Sequence, residues 1–293
     1  MSGTGQFSKK WEDLEFSDNY MFCKVLENLD LCQELLEILL HIKIDHLEKP
    51  VSEKTVQPEY NAKGIRMDVY VKNSNKVFDI EMQTGNYEDL LLRARYYQGA
   101  MDIGETPRRT RYRDLKETYI IFICKDDPFG LDSPTYTKKV IFEECPCFKY
   151  QDKSHFVVYN SSAYEREQDK EVRSVLKFIY NSKAETSFTN KLETTVQEMK
   201  QESGLKEGYM YFMDYVDEEK EEAEKKGRIE GKKEGIKEGI KEGKARGAQE
   251  TAISNAKKML EDNLPLDKIV QYSGLSKEKV QDLAKEVAVP VQK

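Results

Sequence analysis

Two short stretches decide the fold: Ile65-Arg66-Met67-Asp68-Val69-Tyr70-Val71 and Lys76-Val77-Phe78-Asp79-Ile80-Glu81-Met82-Gln83. Each alternates with a period of two, the pattern of a β-strand. Asn73-Ser74-Asn75 between them is a turn-type cluster, so the pair reads as an antiparallel hairpin. Alternate strand residues share a face, so Glu81 and Gln83 point the same way, with Asp79 beside them. The turn brings Asp68 alongside Glu81.

Outward from the hairpin, Thr118 to Cys124 is an uninterrupted apolar run, expected of a central strand buried on both faces. Val140-Ile141-Phe142 and Phe156-Val157-Val158-Tyr159 read as two further strands, and an earlier one runs through Thr55-Val56-Gln57. Helices are expected over 18–29, over 30–42 with Asp30 as its cap, and over 87–103, where Leu91, Ala94, Tyr97 and Met101 recur at three or four. The class is therefore α/β, a mixed sheet flanked by helices.

The chain has 293 residues, with 47 Lys and Arg against 54 Asp and Glu, a formal charge of −7. That length holds one large domain or two smaller ones. Its longest apolar runs fall far below the roughly 20 residues needed to span a bilayer, so no membrane partner is expected. The polar start, Met1 to Lys10, carries no apolar signal core, and the five cysteines are odd in number; a reducing, cytoplasmic setting is expected. Cys145-Pro146-Cys147 has no second pair at zinc spacing.

The 34% of charged residues concentrates near the C-terminus: residues 217–250 hold 11 acids and 10 bases. Glycines 227, 231, 235, 239, 243 and 247 recur there every four residues. Each costs a helix roughly 1 kcal/mol relative to alanine. A solvated spacer and a homodimer packed along the glycine stripe both fit. Residues 251–289 regain amphipathic order, broken at Asn263-Leu264-Pro265, with Gly274 ending one short helix and Ser276 capping the next, as in a helix-turn-helix hairpin.

The chemistry points to the hairpin. Adjacent carboxylates repel unless a cation joins them, and hard divalent cations take oxygen ligands. Asp68 and Glu81 on neighbouring strands form such a pair; a salt-bridged strand residue and an edge-strand acid are the plainer readings of the two. Asp79 shares the face of Glu81, and a surface acid is its preferred reading. From 93 to 116, seven basic residues (Arg93, Arg95, Arg108, Arg109, Arg111, Arg113, Lys116) meet three acids, with Tyr96, Tyr97 and Tyr112 interleaved. That mixture suits phosphate contact and base stacking, or a solvated loop.

The Asp68…Glu81-Met82-Gln83 array resembles the PD-(D/E)XK nuclease superfamily, with glutamine in place of the final lysine. With Ser17-Asp18-Asn19-Tyr20-Met21-Phe22-Cys23-Lys24, Arg66-Met67-Asp68-Val69 and Arg93-Ala94-Arg95-Tyr96-Tyr97, the chain more closely resembles the Rpn family of recombination-promoting nucleases and transposases. The resemblance implies a restriction-endonuclease-like core with a helical C-terminal extension. It also implies Asp68, Glu81 and the Met82 carbonyl as metal ligands, Mg²⁺ as cofactor with Mn²⁺ as a substitute, and DNA as substrate. Catalysis then falls to Asp68, Glu81 and Gln83, and phosphate binding to Arg93 and Tyr97. Asp18 has no implied role beyond capping the first helix. The expected organisation is a nuclease-like core over 11–163, a helical extension over 164–226, a charged repeat over 227–250 and a helical hairpin over 251–289. The activity expected is a metal-dependent DNA endonuclease acting in recombination or element mobility. The alternative is a catalytically degenerate relative that binds DNA or oligomerises.

Overall fold

The computed structural model describes residues 9–56, 64–85, 87–148 and 152–288. Gln57 and Val289, which close two of the expected segments, lie outside them. By its contacts the chain divides into two units, 1–213 and 214–293.

The first unit is built on a six-stranded mixed sheet. β1 (Val51–Val56), β2 (Ile65–Lys72) and β3 (Lys76–Gln83) run antiparallel in sequence. β4 (Glu117–Cys124) then lies parallel to β3, and β6 (Ser154–Asn160) parallel to β4. The short β5 (Thr135–Thr137) closes the edge against β6, giving the order β1-β2-β3-β4-β6-β5. Thr118 to Cys124 is thus a central strand. The Val140-Ile141-Phe142 run, expected to be a strand, is not one of the six; those three residues are exposed outside the sheet. An edge strand pairs on one side only, and β5 fills that place with three residues.

Two helix layers bury the sheet. α1 (Asn19–Leu26) and α2 (Leu29–Leu40) pack with α4 (Lys170–Asn181) and α5 (Ser187–Lys200) over one face, onto Val69, Val71, Phe78, Ile80, Ile121 and Ile123. α3 (Leu90–Glu105) covers the other, through Leu90, Ala94, Tyr97 and Met101 against Tyr70, Val77 and Phe122. Asn28, not Asp30, caps α2: its Oδ1 accepts from the N–H groups of Asp30 and Leu31 at 3.0 and 3.2 Å. Asp18 precedes α1 without capping it through its side chain. Its Oδ2 instead accepts from the Glu15 N–H at 2.7 Å and from Lys9 at 2.9 Å.

α6 (Ser203–Glu261) is one continuous helix of 59 residues whose side chains from 220 onward are exposed through the glycine repeat. In the second unit α7 (Leu266–Ser273) and α8 (Lys277–Ala288) fold against its C-terminal turns around Ala256, Ile269, Val280 and Leu283. Gly274 ends α7 at φ 70°, where L-residues other than glycine are disfavoured. Ser276 Oγ accepts from the Lys279 N–H at 3.3 Å at the head of α8, as the sequence leads one to expect. All five cysteines are free thiols. Among the described residues, no helix is long and apolar enough to cross a membrane.

Candidate active site

The β2–β3 ladder pairs residues from Lys72↔Val77 to Val69↔Ile80 and then stops. Beyond that point side chains replace main-chain partners. The Asp68 N–H donates to Glu81 Oε1 at 3.1 Å, and the Met82 N–H donates to Asp68 Oδ2 at 3.0 Å. On the other side of β2 the ladder skips Glu53, which faces Asp68 in register and adopts a left-handed φ of 54°. Met67 and Tyr70, three residues apart, both pack towards α3, while Val69 and Val71 pack towards α1 and α2. Strand alternation therefore reverses at Asp68–Val69. This irregularity lets a carboxylate reach into the gap between strands.

Glu81 and Gln83 lie on the α3 face, where Arg93 reaches both. Its guanidinium donates to Glu81 Oε2 at 3.3 Å and to Gln83 Oε1 at 3.0 Å. Gln83 Nε2 in turn donates to Glu81 Oε2 at 3.3 Å. The Arg93 guanidinium lies beside two aromatic rings, 5.3 Å from the Phe122 centroid and 5.8 Å from that of Tyr97. Tyr97 is buried and its hydroxyl donates to the Arg66 carbonyl at 3.4 Å. Arg93, about a third exposed, is thus the polar group that α3 offers to solvent here.

The site carries an excess of buried negative charge. Glu81 is only 2% exposed, so it is not an edge-strand acid. Asp79 is fully buried, and neither of its carboxylate oxygens has a hydrogen-bond partner; the reading as a surface acid is overturned. Burial, then the charge of Asp68, pushes the Asp79 carboxyl well above its usual range. Burial, then Asp79 and Asp68, does the same to Glu81, against the pull of the Asp68 N–H and Arg93. Burial also raises Asp68, opposed by hydrogen bonds from the Asn19 side chain and the Met82 N–H. Arg93 acts on all three carboxyls and Arg66 on Asp68 alone, so negative charge remains in excess, an arrangement that favours an added cation or proton.

Two features escaped the sequence reading. Asn19, the first residue of α1, presents its side chain to Asp68 and favours the charged carboxylate. Cys23 Sγ, one turn further on, contacts the Asp68 carbonyl at 3.3 Å. Both belong to the Ser17–Lys24 segment, but no local pattern says that α1 aims its first turn at β2.

The family model described as PD-(D/E)XK nuclease family transposase matches residues 12–145. No curated protein and no solved structure matches the chain. Over residues 12–145 the chain is thus similar to PD-(D/E)XK nuclease family transposases, and its mixed sheet between helices is a restriction-endonuclease-like α/β fold.

Enzymes of this superfamily use divalent metal ions. Among the described residues, no three His, Cys, Asp or Glu side chains converge on one metal-sized position. The donors that fit are Asp68, Glu81 and a main-chain oxygen. The Gln83 carbonyl accepts from the Lys125 N–H at 2.8 Å, so Gln83 turns its main-chain groups towards β4. By alternation Met82 turns its own towards β2, on the side of Asp68. Two carboxylates and a carbonyl, with water completing the shell, are a donor set suited to Mg²⁺. The orphaned Asp79 carboxyl and the surplus negative charge also fit a cation.

Proposed function

We propose that the domain is a Mg²⁺-dependent DNA endonuclease, with Mn²⁺ as a substitute, that hydrolyses phosphodiester bonds in recombination or in the movement of a genetic element inside the cytoplasm. The observation that carries this reading is the Asp68–Glu81 pair, joined across the end of the β2–β3 ladder and buried with too little positive charge. Asp68, Glu81 and the Met82 carbonyl would hold the ion. When bound, it would lower the pKa of an attacking water and stabilise charge on the phosphate.

The remaining work falls to the chain itself. Arg93 offers a planar fork to a phosphate oxygen, and Tyr97 and Phe122 keep that fork in place. Gln83 carries no charge and is not a base near neutral pH. Its amide fixes Arg93 through Oε1 and bonds Glu81 through Nε2, so it orients rather than transfers protons. Asn19 and the Met82 N–H hold the Asp68 carboxylate in one rotamer.

Plasmid DNA incubated with Mg²⁺, Mn²⁺ or Ca²⁺ tests the reading. Cleavage with the first two, lost in Asp68→Ala and in Glu81→Ala, is expected; cleavage at the wild-type level in both variants refutes it. The neutral Gln83, tied to both Arg93 and Glu81, favours a second reading, a catalytically degenerate DNA-binding protein. Tight DNA binding without cleavage under every divalent ion supports that alternative.

A further inference from the structure

Residues 220–250 of α6 are exposed, yet one face of the stretch from Tyr215 to Ile240 is apolar. Tyr215, Ile229, Ile236 and Ile240 are each at least half exposed. At 100° per residue they lie within about 60° of one another. Charge along the helix is also segregated. Residues 217–224 hold six acids and one lysine, a net −5. Residues 225–246 hold nine basic residues and four acids, a net +5.

We propose that α6 pairs with α6 of a second copy of this chain, antiparallel, about a centre between Gly227 and Arg228. In that register Tyr215 meets Ile240, Glu218 meets Lys237 and Glu222 meets Lys233 of the other copy, twice over by the two-fold symmetry. All six residues lie on or beside the apolar face. Glu222 has only a long 3.9 Å contact to Lys226 and remains exposed, so it can turn to a partner. A parallel pair would instead set acid block against acid block and basic block against basic block, a repulsive alignment. A second copy of this chain, reversed, supplies the complementary charge blocks and an isoleucine-bearing face. Burial of the isoleucines would also help a glycine-rich helix keep its helical form.

The test uses the full chain. Light scattering should give twice the 34.1 kDa chain mass at micromolar concentration, and Ile236→Glu/Ile240→Glu should return it to one chain mass without moving the main thermal transition. Direction is read by cross-linking after Cys145→Ser and Cys147→Ser remove the exposed thiols; the other three cysteines are buried. Tyr215→Cys/Ile240→Cys should form a disulfide-linked dimer on mild oxidation. The two positions lie about 37 Å apart along one helix and cannot close within a chain. Tyr215→Cys alone and Ile240→Cys alone should stay uncross-linked. A monomer at every concentration overturns the proposal, and so does cross-linking of either single variant to itself.

Discussion

The main-chain N–H of Asp68 donates to Glu81 Oε1 across 3.1 Å, at the point where the β2–β3 ladder ends. Each of these carboxyls therefore serves the backbone of the opposite strand, since Asp68 Oδ2 accepts from the Met82 N–H. The pair is part of the hairpin as well as the candidate metal site, and alanine substitution would disturb both.

Amides separate the two roles. Asp68→Asn and Glu81→Gln keep an oxygen acceptor for each N–H but lose the charge. Both should fold with melting temperatures close to wild type. Cleavage should fall on the order of 100-fold or more. The upward shift of melting temperature on adding Mg²⁺ should shrink as well. A full Mg²⁺ shift in both amides would remove these residues from the ligand set.

Arg93 is the guanidinium that offsets the buried carboxyls, bonded to Glu81 and Gln83. Arg93→Ala leaves Glu81 without its cation, and partial exposure of the arginine tempers the cost. Stability in EDTA should drop by about 1–3 kcal/mol. Mg²⁺ should recover part of that loss, and DNA affinity should remain weakened. Chemical denaturation with and without Mg²⁺ measures the recovery; equal losses in the two conditions would argue against a shared cation site.

Part of this candidate site was legible in the sequence, because a turn of fixed length sets Asp68 opposite Glu81; the reversal of alternation at Asp68–Val69 was not, since nothing local marks it. Nor was Asp79, for a physical reason. Alternation tells which residues share a face, but not whether a helix covers that face, and here α3 covers one and α1 with α2 the other. An acid on an alternating strand thus reads as solvent-facing when it is buried. Asn19 was missed because its contact depends on how α1 is aimed, a tertiary fact. The cap of α2 was misplaced by two residues because Asn28 and Asp30 are both competent, and the chain turns at the first. The 140–142 run reads as a strand by composition, yet the sheet edge is satisfied by 135–137 before the chain reaches it.

Glu105 closes α3 amid lysines: Lys116 and Lys72 approach its carboxylate at 3.0 and 3.1 Å, and the Tyr70 hydroxyl at 2.6 Å. Burial works against the charged form, but these hydrogen bonds outweigh it and hold the carboxyl down to about 2, from an ordinary 4.5. A depressed carboxyl stabilises the fold above pH 4.5 and loses that contribution as pH falls towards 2. Glu105→Gln should therefore cost about 1–3 kcal/mol at pH 7. The gap to wild type should narrow steadily between pH 4.5 and 3. Urea titrations at pH 7, 4.5 and 3 test this, and a gap that widens on acidification contradicts it.

Glycines in α6 should respond to alanine in opposite ways according to what surrounds them. At Gly208 a Cβ would sit 2.7 Å from Tyr20 Oη. That hydroxyl donates to the Leu205 carbonyl at 3.2 Å, and its ring is wedged against Trp11, Tyr209 and Phe212. The tyrosine cannot swing aside without breaking these contacts, so Gly208→Ala should lower the melting temperature of the first unit despite alanine's better helix propensity. At Gly231 and Gly235 nothing lies within 4 Å, and both point away from the isoleucine face. Alanine there should strengthen the helix by about 0.5–1 kcal/mol per site. Circular dichroism at 222 nm should show the helix of Gly231→Ala/Gly235→Ala melting later, with the chain mass unchanged. A loss of helicity at these two positions would mean that the repeat needs its glycines for a contact that the exposed helix does not reveal.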